Sequence, residues 1–460
     1  MPSAISQIVP VNVTIGSITP TTTSFGVPMI AAQFAPTKTT TTFGRVRSYT
    51  SLAALVADGW LVTDQVYLAA QDLLSANPQL ATFVVGRNDS GDANWTAALT
   101  AIQAATTQAT SWYAFIIVPV ASVLATVISE QLLCSAWAEA NGNPFFMDSN
   151  DATILAAGST DAGSQVSANA RNYTVVTYHN PAVATASATV TLGASQAVAT
   201  VATAINGVVT LTFGAAFVAA NNIAGTVNGQ AYSVTYATSD AATFLALAAA
   251  IGALTGTVAV ANVPGGTYAT RSITIFSSVA GVPASGEFAS ASLLGDLLPQ
   301  PIGSYNPAYG ALPGSTVDSP TVAQKSIAWG KFVNTYTSVS GVNIYERGFV
   351  AGGNFGFIDV TFGKDWIVAN IQTAILTLLA GSAAVPFTVL GASLIHDTIA
   401  GVLKQAATMG IINTSYNVVV PPATTLTTGN RTARTWPGIT FSVQLQGAVN
   451  VVQISGTVSF

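Results

Sequence analysis

The sequence predicts a multidomain chain of α/β and α+β character, with a β-rich domain inserted into it and an apolar strand near each terminus. Three observations carry this reading. Strand-like and helix-like segments alternate through the first 183 residues and again after residue 298, the pattern of a partly parallel sheet covered by helices. From Ala184 to Leu298 the chain holds only four charged residues (Asp240, Arg271, Glu287, Asp296) and consists mostly of short strand-like runs. Finally, IVPVNVTIG near the start and VVQISGTVSF at the end place apolar side chains at every second position, the period of a half-buried strand.

In order along the chain, Val9, Val11, Val13 and Ile15 share one strand face, with Ile8 leading into it. The threonine-rich stretches TPTTTSFG to TKTTTTFG read as extended chain and loop. SLAALVADG (Ser51 to Gly59) and TDQVYLAAQDLLSANP (Thr63 to Pro78) carry helical spacing. LATFVVGR is a strand, NWTAALTAIQAATTQA a helix, WYAFIIVPV a strand, and ASVLATVISEQLLCSAWAEANG a helix closing on a glycine cap. PFFMDS and YTVVTYH add strands. Within the charge-poor region ATVTLG, VVTLTFG, YSVTYAT, TVAVANV and RSITIFSS read as strands around one helix, DAATFLALAAAIGAL. Beyond it, SPTVAQKSIAWGKFVNTY is helical in composition, whereas GVNIYERGFV and GFIDVTFG are strand-like. DWIVANIQTAILTLLAG and LIHDTIAGVLKQAATMG are helices. The last section reads as two strands about Gly447, ending on Val452, Ile454, Val458 and Phe460.

Charged residues make up 7% of the 460 residues, against roughly 25% in ordinary soluble domains. Such a chain either covers its surface with Ser, Thr, Asn and Gln or has much of it covered by other subunits. Membrane insertion is disfavoured, because Tyr113 to Ile128 and Ile371 to Ile395 are broken by Pro119 and Pro386, short of the roughly 20 apolar residues of a spanning helix. The start shows no secretory signal pattern, so cytosolic synthesis is expected. The single cysteine, Cys134, excludes a disulfide framework within the chain. Thirteen scattered Lys and Arg with a net charge of −5 give no nucleic-acid patch.

Catalytic constellations are equally scarce. The nearest approach to a phosphate loop, FGFIDVTFGKD, has Ile358 where glycine is needed and Asp365 where Ser or Thr should follow the lysine. His179 and His396 are the only histidines, and neither lies near a nucleophile elbow. His396 and Asp397 are adjacent, so they are not expected to face each other on a helix. Asp89 with Asp92, and Asp148 with Asp151, lie in turn-like stretches that favour aspartate for capping. No catalytic residue, cofactor or metal site is expected, though a fold-assembled carboxylate pair stays open. Scarce charge and terminal apolar strands point instead to assembly, with each strand adding to a neighbour's sheet.

The block order SQIVPVNVTIGS, SLAALVADGW, YLAAQDLLSANPQLATFVVGR, WYAFI, CSAWAEA, GFIDVTFGKDWIVANIQTAILTLLAG and VPFTVLGASLIHDTIAGVLKQAATMGII resembles the sheath proteins of contractile bacteriophage tails. That resemblance implies an N-terminal arm (1–24), a core (25–183 and 299–345) with an outward insert (184–298), an inner C-terminal domain (346–446) facing a tube, and a C-terminal arm (447–460). It further implies stacked hexameric rings around a tail tube, contraction from a metastable extended state on a baseplate trigger, contacts with tail terminator or neck proteins, and a place in the virion tail after synthesis in the bacterial host. Lys364, Asp365, His396, Asp397 and Lys404 are then candidates to face the tube. A sheath from a contractile bacteriocin or injection system shares these features. A monomeric glycan-binding module or glycan-active enzyme is the alternative of another class.

Overall fold

The computed structural model describes residues 25–448 apart from 63, 120–123, 181–187, 193–199, 202–207, 214–215, 220–221, 228–229, 255–256, 263–270, 278–286, 353–355 and 383. The chain divides into two compact units: one takes in everything up to His179, Ala289–Gly314 and Pro320 onward, and the other Asn180–Phe288 with Ser315–Ser319.

The first stretch of the larger unit contains β1 (Pro28–Gln33), β2 (Val46–Tyr49), α1 (Leu52–Ala57), α2 (Gln65–Leu73), β3 (Phe83–Asn88), α3 (Trp95–Ala105), β4 (Ala114–Ile117), α4 (Leu124–Asn141), β5 (Phe145–Ser149), α5 (Ala162–Ser167) and β6 (Thr174–Tyr178). The smaller unit holds β7 (Ala188–Leu192), β8 (Thr200–Val201), β9 (Val208–Phe213), β10 (Asn222–Val227), β11 (Gln230–Thr235), α6 (Asp240–Gly252), β12 (Thr257–Asn262) and β13 (Arg271–Ser277). The chain then returns with α7 (Ala289–Leu297), α8 (Val322–Gly330), β14 (Val333–Val339), β15 (Val342–Glu346), α9 (Ile358–Gly381), α10 (Val389–Thr408), β16 (Asn417–Val419), α11 (Thr428–Thr432) and β17 (Thr440–Ser442).

Eight strands of the larger unit form one sheet in the order β15-β14-β6-β5-β4-β1-β3-β2. Every pairing from β3 across to β14 is parallel, and only the two outermost pairings are antiparallel. The central strand, β1, sets Ile30 opposite both Val85 and Ile116. It lies in the threonine-rich region expected to be loop. Its run PMIAAQ is apolar throughout rather than alternating, as befits a strand covered on both faces. Helix α4 covers the sheet with aromatic packing: Trp137 stacks on Trp112 at 6.0 Å and meets Phe115 of β4 edge-on at 5.7 Å.

Two further expectations need correction. The segment 184–298 was expected to form the insert, but α7 packs within the larger unit, where Asp148 accepts the Ser290 N–H at 2.9 Å and its hydroxyl at 2.7 Å. Nearly all of this helix is buried. GFIDVTFG, expected to be a strand, opens α9. Residues 346–446 fall in the same compact unit as the sheet.

The smaller unit has two antiparallel sheets, β11-β10-β7 and β12-β13-β9-β8, with α6 alongside. Leu211, Phe213, Ile223, Phe244, Leu247, Ile251, Ile273 and Ile275 form its core. Arg271 is buried there, paired with Asp240 and ringed by Phe217 and Phe244 at 4.5 and 5.1 Å. A guanidinium so placed is compensated by its carboxylate and by the ring faces.

Candidate assembly surface

The candidate surface is built around α9 and α10, which pack on each other. Ile358, Asp359, Thr361, Phe362, Gly363, Lys364, Asp365, Trp366, Ile367, Val368 and Ala369 are all buried. The first half of α9 is enclosed and needs no polar stripe, so that half lacks the 3.6-residue signature and its start mimics a strand. Close packing also needs Gly303, at φ +79°, where a Cβ would sit 2.4 Å from the Cα of Gly363 on α9.

A polar node fixes this helix to the sheet. The Asp365 carboxylate accepts the Tyr113 hydroxyl at 2.8 Å and the Tyr173 hydroxyl at 2.6 Å. The Lys364 ammonium lies 3.1 Å from Asp365 and donates to the Tyr173 oxygen at 2.5 Å. Tyr113 immediately precedes β4, and Tyr173 immediately precedes β6, so one carboxylate ties α9 to two neighbouring regions of the sheet. Burial pushes the Asp365 carboxyl above the usual carboxylate range, although Lys364 and the two phenols pull the other way. Burial, together with the Asp365 charge, likewise drives the Tyr113 phenol well up. Lys364 and Asp365 were expected to face a tube; they are 5% and 0% exposed and cannot present charge to one. Their charges are satisfied inside the subunit.

The remaining candidates of that group lie on α10. Ile395, Ile399, Val402, Leu403 and Ala406 are its buried residues, and the helix packs on α9. His396, Asp397 and Lys404 are exposed. Contrary to expectation, the His396 Nδ1 reaches the adjacent Asp397 carboxylate at 2.9 Å, with both side chains largely in solvent.

Beyond α10, β16 and β17 pair antiparallel, Val418 facing Phe441. The ladder is extended by a bridge from Ile412 to Leu445 and by the Asn413 N–H donating to the Gln444 carbonyl at 2.9 Å. Among the described residues each of these strands pairs only with the other. Ser415, Tyr416, Asn417, Ser442, Val443 and Gln444 line an open groove of about 600 Å³ across the pair. The arm residues Ile8, Val9, Val11, Val13, Ile15, Val452, Ile454, Val458 and Phe460 lie outside the described residues. At the root of the C-terminal arm the Ala448 N–H donates to Asp359 Oδ2 at 3.1 Å. Sequence reasoning missed Asp359, Tyr113 and Tyr173; the one available signal was a carboxylate standing in an apolar run of a charge-poor chain.

The other polar candidates have structural roles. Asp92 holds Arg45 and Asp89 holds Arg87. Asp151 caps a short helical turn through the Thr153 N–H at 2.9 Å. Cys134 is buried, and burial pushes its thiol well up. Among the described residues no cluster of three or more His, Cys, Asp or Glu could hold a metal, and no helix is long and apolar enough to cross a membrane.

Residues 358–418, from the start of α9 into β16, match the family described as E217 tail sheath protein gp31-like, C-terminal domain. Two solved structures are similar over nearly the whole chain. One, a chain of the anti-feeding prophage (AFP) baseplate, is 12% identical with a TM-score of 0.53 and 98% of each chain covered. The other, from the PVC sheath complex of an extracellular contractile injection system in its contracted state, is 10% identical with a TM-score of 0.51, covering 97% of this chain and 95% of that one. No curated protein matches the chain. The fold is that of subunits of contractile injection systems, and the C-terminal segment carries the tail-sheath domain. The likeness to the two solved structures is one of fold, and the match to the tail-sheath family is confined to residues 358–418.

Proposed function

We propose that this chain is the repeating subunit of a contractile phage tail sheath. Copies stack as hexameric rings around a tail tube and contract from a metastable extended state to drive the tube through the host envelope. The observation that carries this reading is the β16–β17 pair within and beside the sheath-family segment, whose strands pair only with each other among the described residues, in a chain with a strand pattern near each terminus. The N-terminal strand Ile8 to Ile15 and the C-terminal strand Val452 to Phe460 of neighbouring copies add to that pair by β-augmentation. Each Val, Ile or Phe buried there contributes on the order of 1.5–3 kcal/mol before ordering costs. Arms exchanged head to tail give a heterologous, propagating contact. The subunit domains then rotate as rigid bodies while the arms keep neighbours joined.

The exposed face of α10, with His396, Asp397 and Lys404, contacts the tube in this reading. The sheath's ends meet the baseplate and the terminator or neck proteins, in a virion tail assembled in the bacterial host. A second reading, a sheath of an injection system or contractile bacteriocin, is favoured by the origin of the two similar structures. Deleting Val452–Phe460 tests the arms. The truncated subunit should remain folded by circular dichroism yet form no tubes by electron microscopy and sedimentation. Ordered sheaths from the truncated subunit would overturn the arm reading.

A further inference from the structure

We infer that Asp359 positions the C-terminal arm, holding it in the direction in which a neighbour can capture it. This rests on the arm reading above and adds a residue that controls it. Three observations converge on the root of the arm. Residues 444–446 are held to the Ile411–Asn413 segment by backbone bonds, including the Gln446 N–H to the Ile411 carbonyl at 3.0 Å. Gly447 then adopts φ +58°, a left-handed conformation open to glycine, with nothing within 4 Å of where a Cβ would stand. Left alone, so permissive a residue would let everything beyond it swing through a wide range of directions.

The next residue removes that freedom. The Ala448 N–H donates to Asp359 Oδ2, 89 residues earlier in the chain, while Oδ1 of the same carboxylate accepts the Val360 N–H at 3.0 Å. Asp359 is 6% exposed, so water competes weakly for its oxygens. A carboxylate accepting a backbone N–H makes one of the stronger hydrogen bonds in a protein. Asp359 stands in the first turn of α9, the helix that Asp365 anchors through Tyr113 and Tyr173. Ala448, the last described residue, is therefore tied through α9 to the sheet. Fixing the root of a segment before capture lowers the ordering cost of binding.

The experiment removes the donor and leaves every other group in place. Ligation of a synthetic C-terminal peptide to the rest of the full chain allows lactic acid to replace Ala448, exchanging the amide for an ester that lacks the N–H. The ester variant should keep the wild-type circular dichroism and melting temperature. Its critical concentration for tube assembly, read by sedimentation, should rise about tenfold, the factor corresponding to one charge-assisted hydrogen bond. Asp359→Ala should produce no further rise when combined with the ester, because both remove the same contact. If the ester subunit assembles at the wild-type concentration or below while deletion of Val452–Phe460 abolishes assembly, Asp359 has no positioning role and the arm reading stands. If the deletion itself leaves assembly intact, the arm reading falls and takes this inference with it.

Discussion

Asp365→Ala measures what the buried node contributes. The carboxylate is fully buried, accepts two phenols and pairs with Lys364, which is itself 5% exposed. Removing it leaves an ammonium buried without its counter-charge, a loss of about 3–5 kcal/mol. Lys364→Met removes the ammonium but keeps Asp365 bonded to both tyrosines, so the loss should be smaller, about 1–3 kcal/mol. The double variant Lys364→Met with Asp365→Ala removes both charges together. It should cost less than the sum of the two single changes by roughly 2 kcal/mol or more. Urea unfolding of the unassembled subunit gives these values as midpoint shifts at constant slope. A loss under about 1 kcal/mol for Asp365→Ala, or additivity across the cycle, would refute the node as the attachment of α9.

Three other outcomes follow from the same geometry. Gly401 lies in the interior of α10 with open space around it, so Gly401→Ala should raise subunit stability by about 0.5–1 kcal/mol. Gly303→Ala should lower it by about 2 kcal/mol or more, from a left-handed backbone and a clash with Gly363; thermal unfolding compares the two. Burial raises the carboxyls of Asp359, Asp365 and Asp296, so the folded chain binds more protons than the unfolded one just above the ordinary carboxylate range. The contribution of these groups therefore falls as pH rises through that window. Asp359→Asn should gain stability relative to wild type over the same window, and a relative loss would contradict the sign. Tube assembly should change little between about 0.05 and 0.5 M salt, since strand pairing and apolar burial are not screened; a steep decline would point to charged contacts between subunits.

Much of the architecture was legible because strands and helices of the larger unit alternate with clear punctuation. Failures cluster where burial is complete. PMIAAQ carries no alternation because both faces of β1 are covered. The run VNTY, folded into a helical expectation with SIAWG, opens β14, whose first five residues are all buried, polar ones included. GFIDVTFG alternates by chance, yet becomes helix because Phe362 packs on Tyr113 at 5.0 Å while Asp365, two residues beyond that run, meets both tyrosines. These are tertiary effects that override local propensity. The node could not be read from sequence, since its members are separated by 252 and 192 positions.

Scarcity of charge also acquires a different meaning. Among the described residues, Lys38, Arg45, Arg47, Arg87, Arg271, Lys325, Lys331 and Lys364 form ion pairs within the chain. Several join distant segments, as Lys331 does in reaching Asp161 and the carbonyls of Thr153 and Ala156. Partly buried pairs of this kind fix geometry more than they add stability. A low count of charged residues is thus partly a property of the interior, and does not by itself measure how much surface other subunits cover. The weight of the assembly reading accordingly shifts to backbone: two strands that pair only with each other among the described residues, beside a terminus whose first step is held by a buried carboxylate. Unpaired strand edges are a standing liability unless something fills them, and in the proposed function the apolar strand patterns near the termini of each copy are the filler.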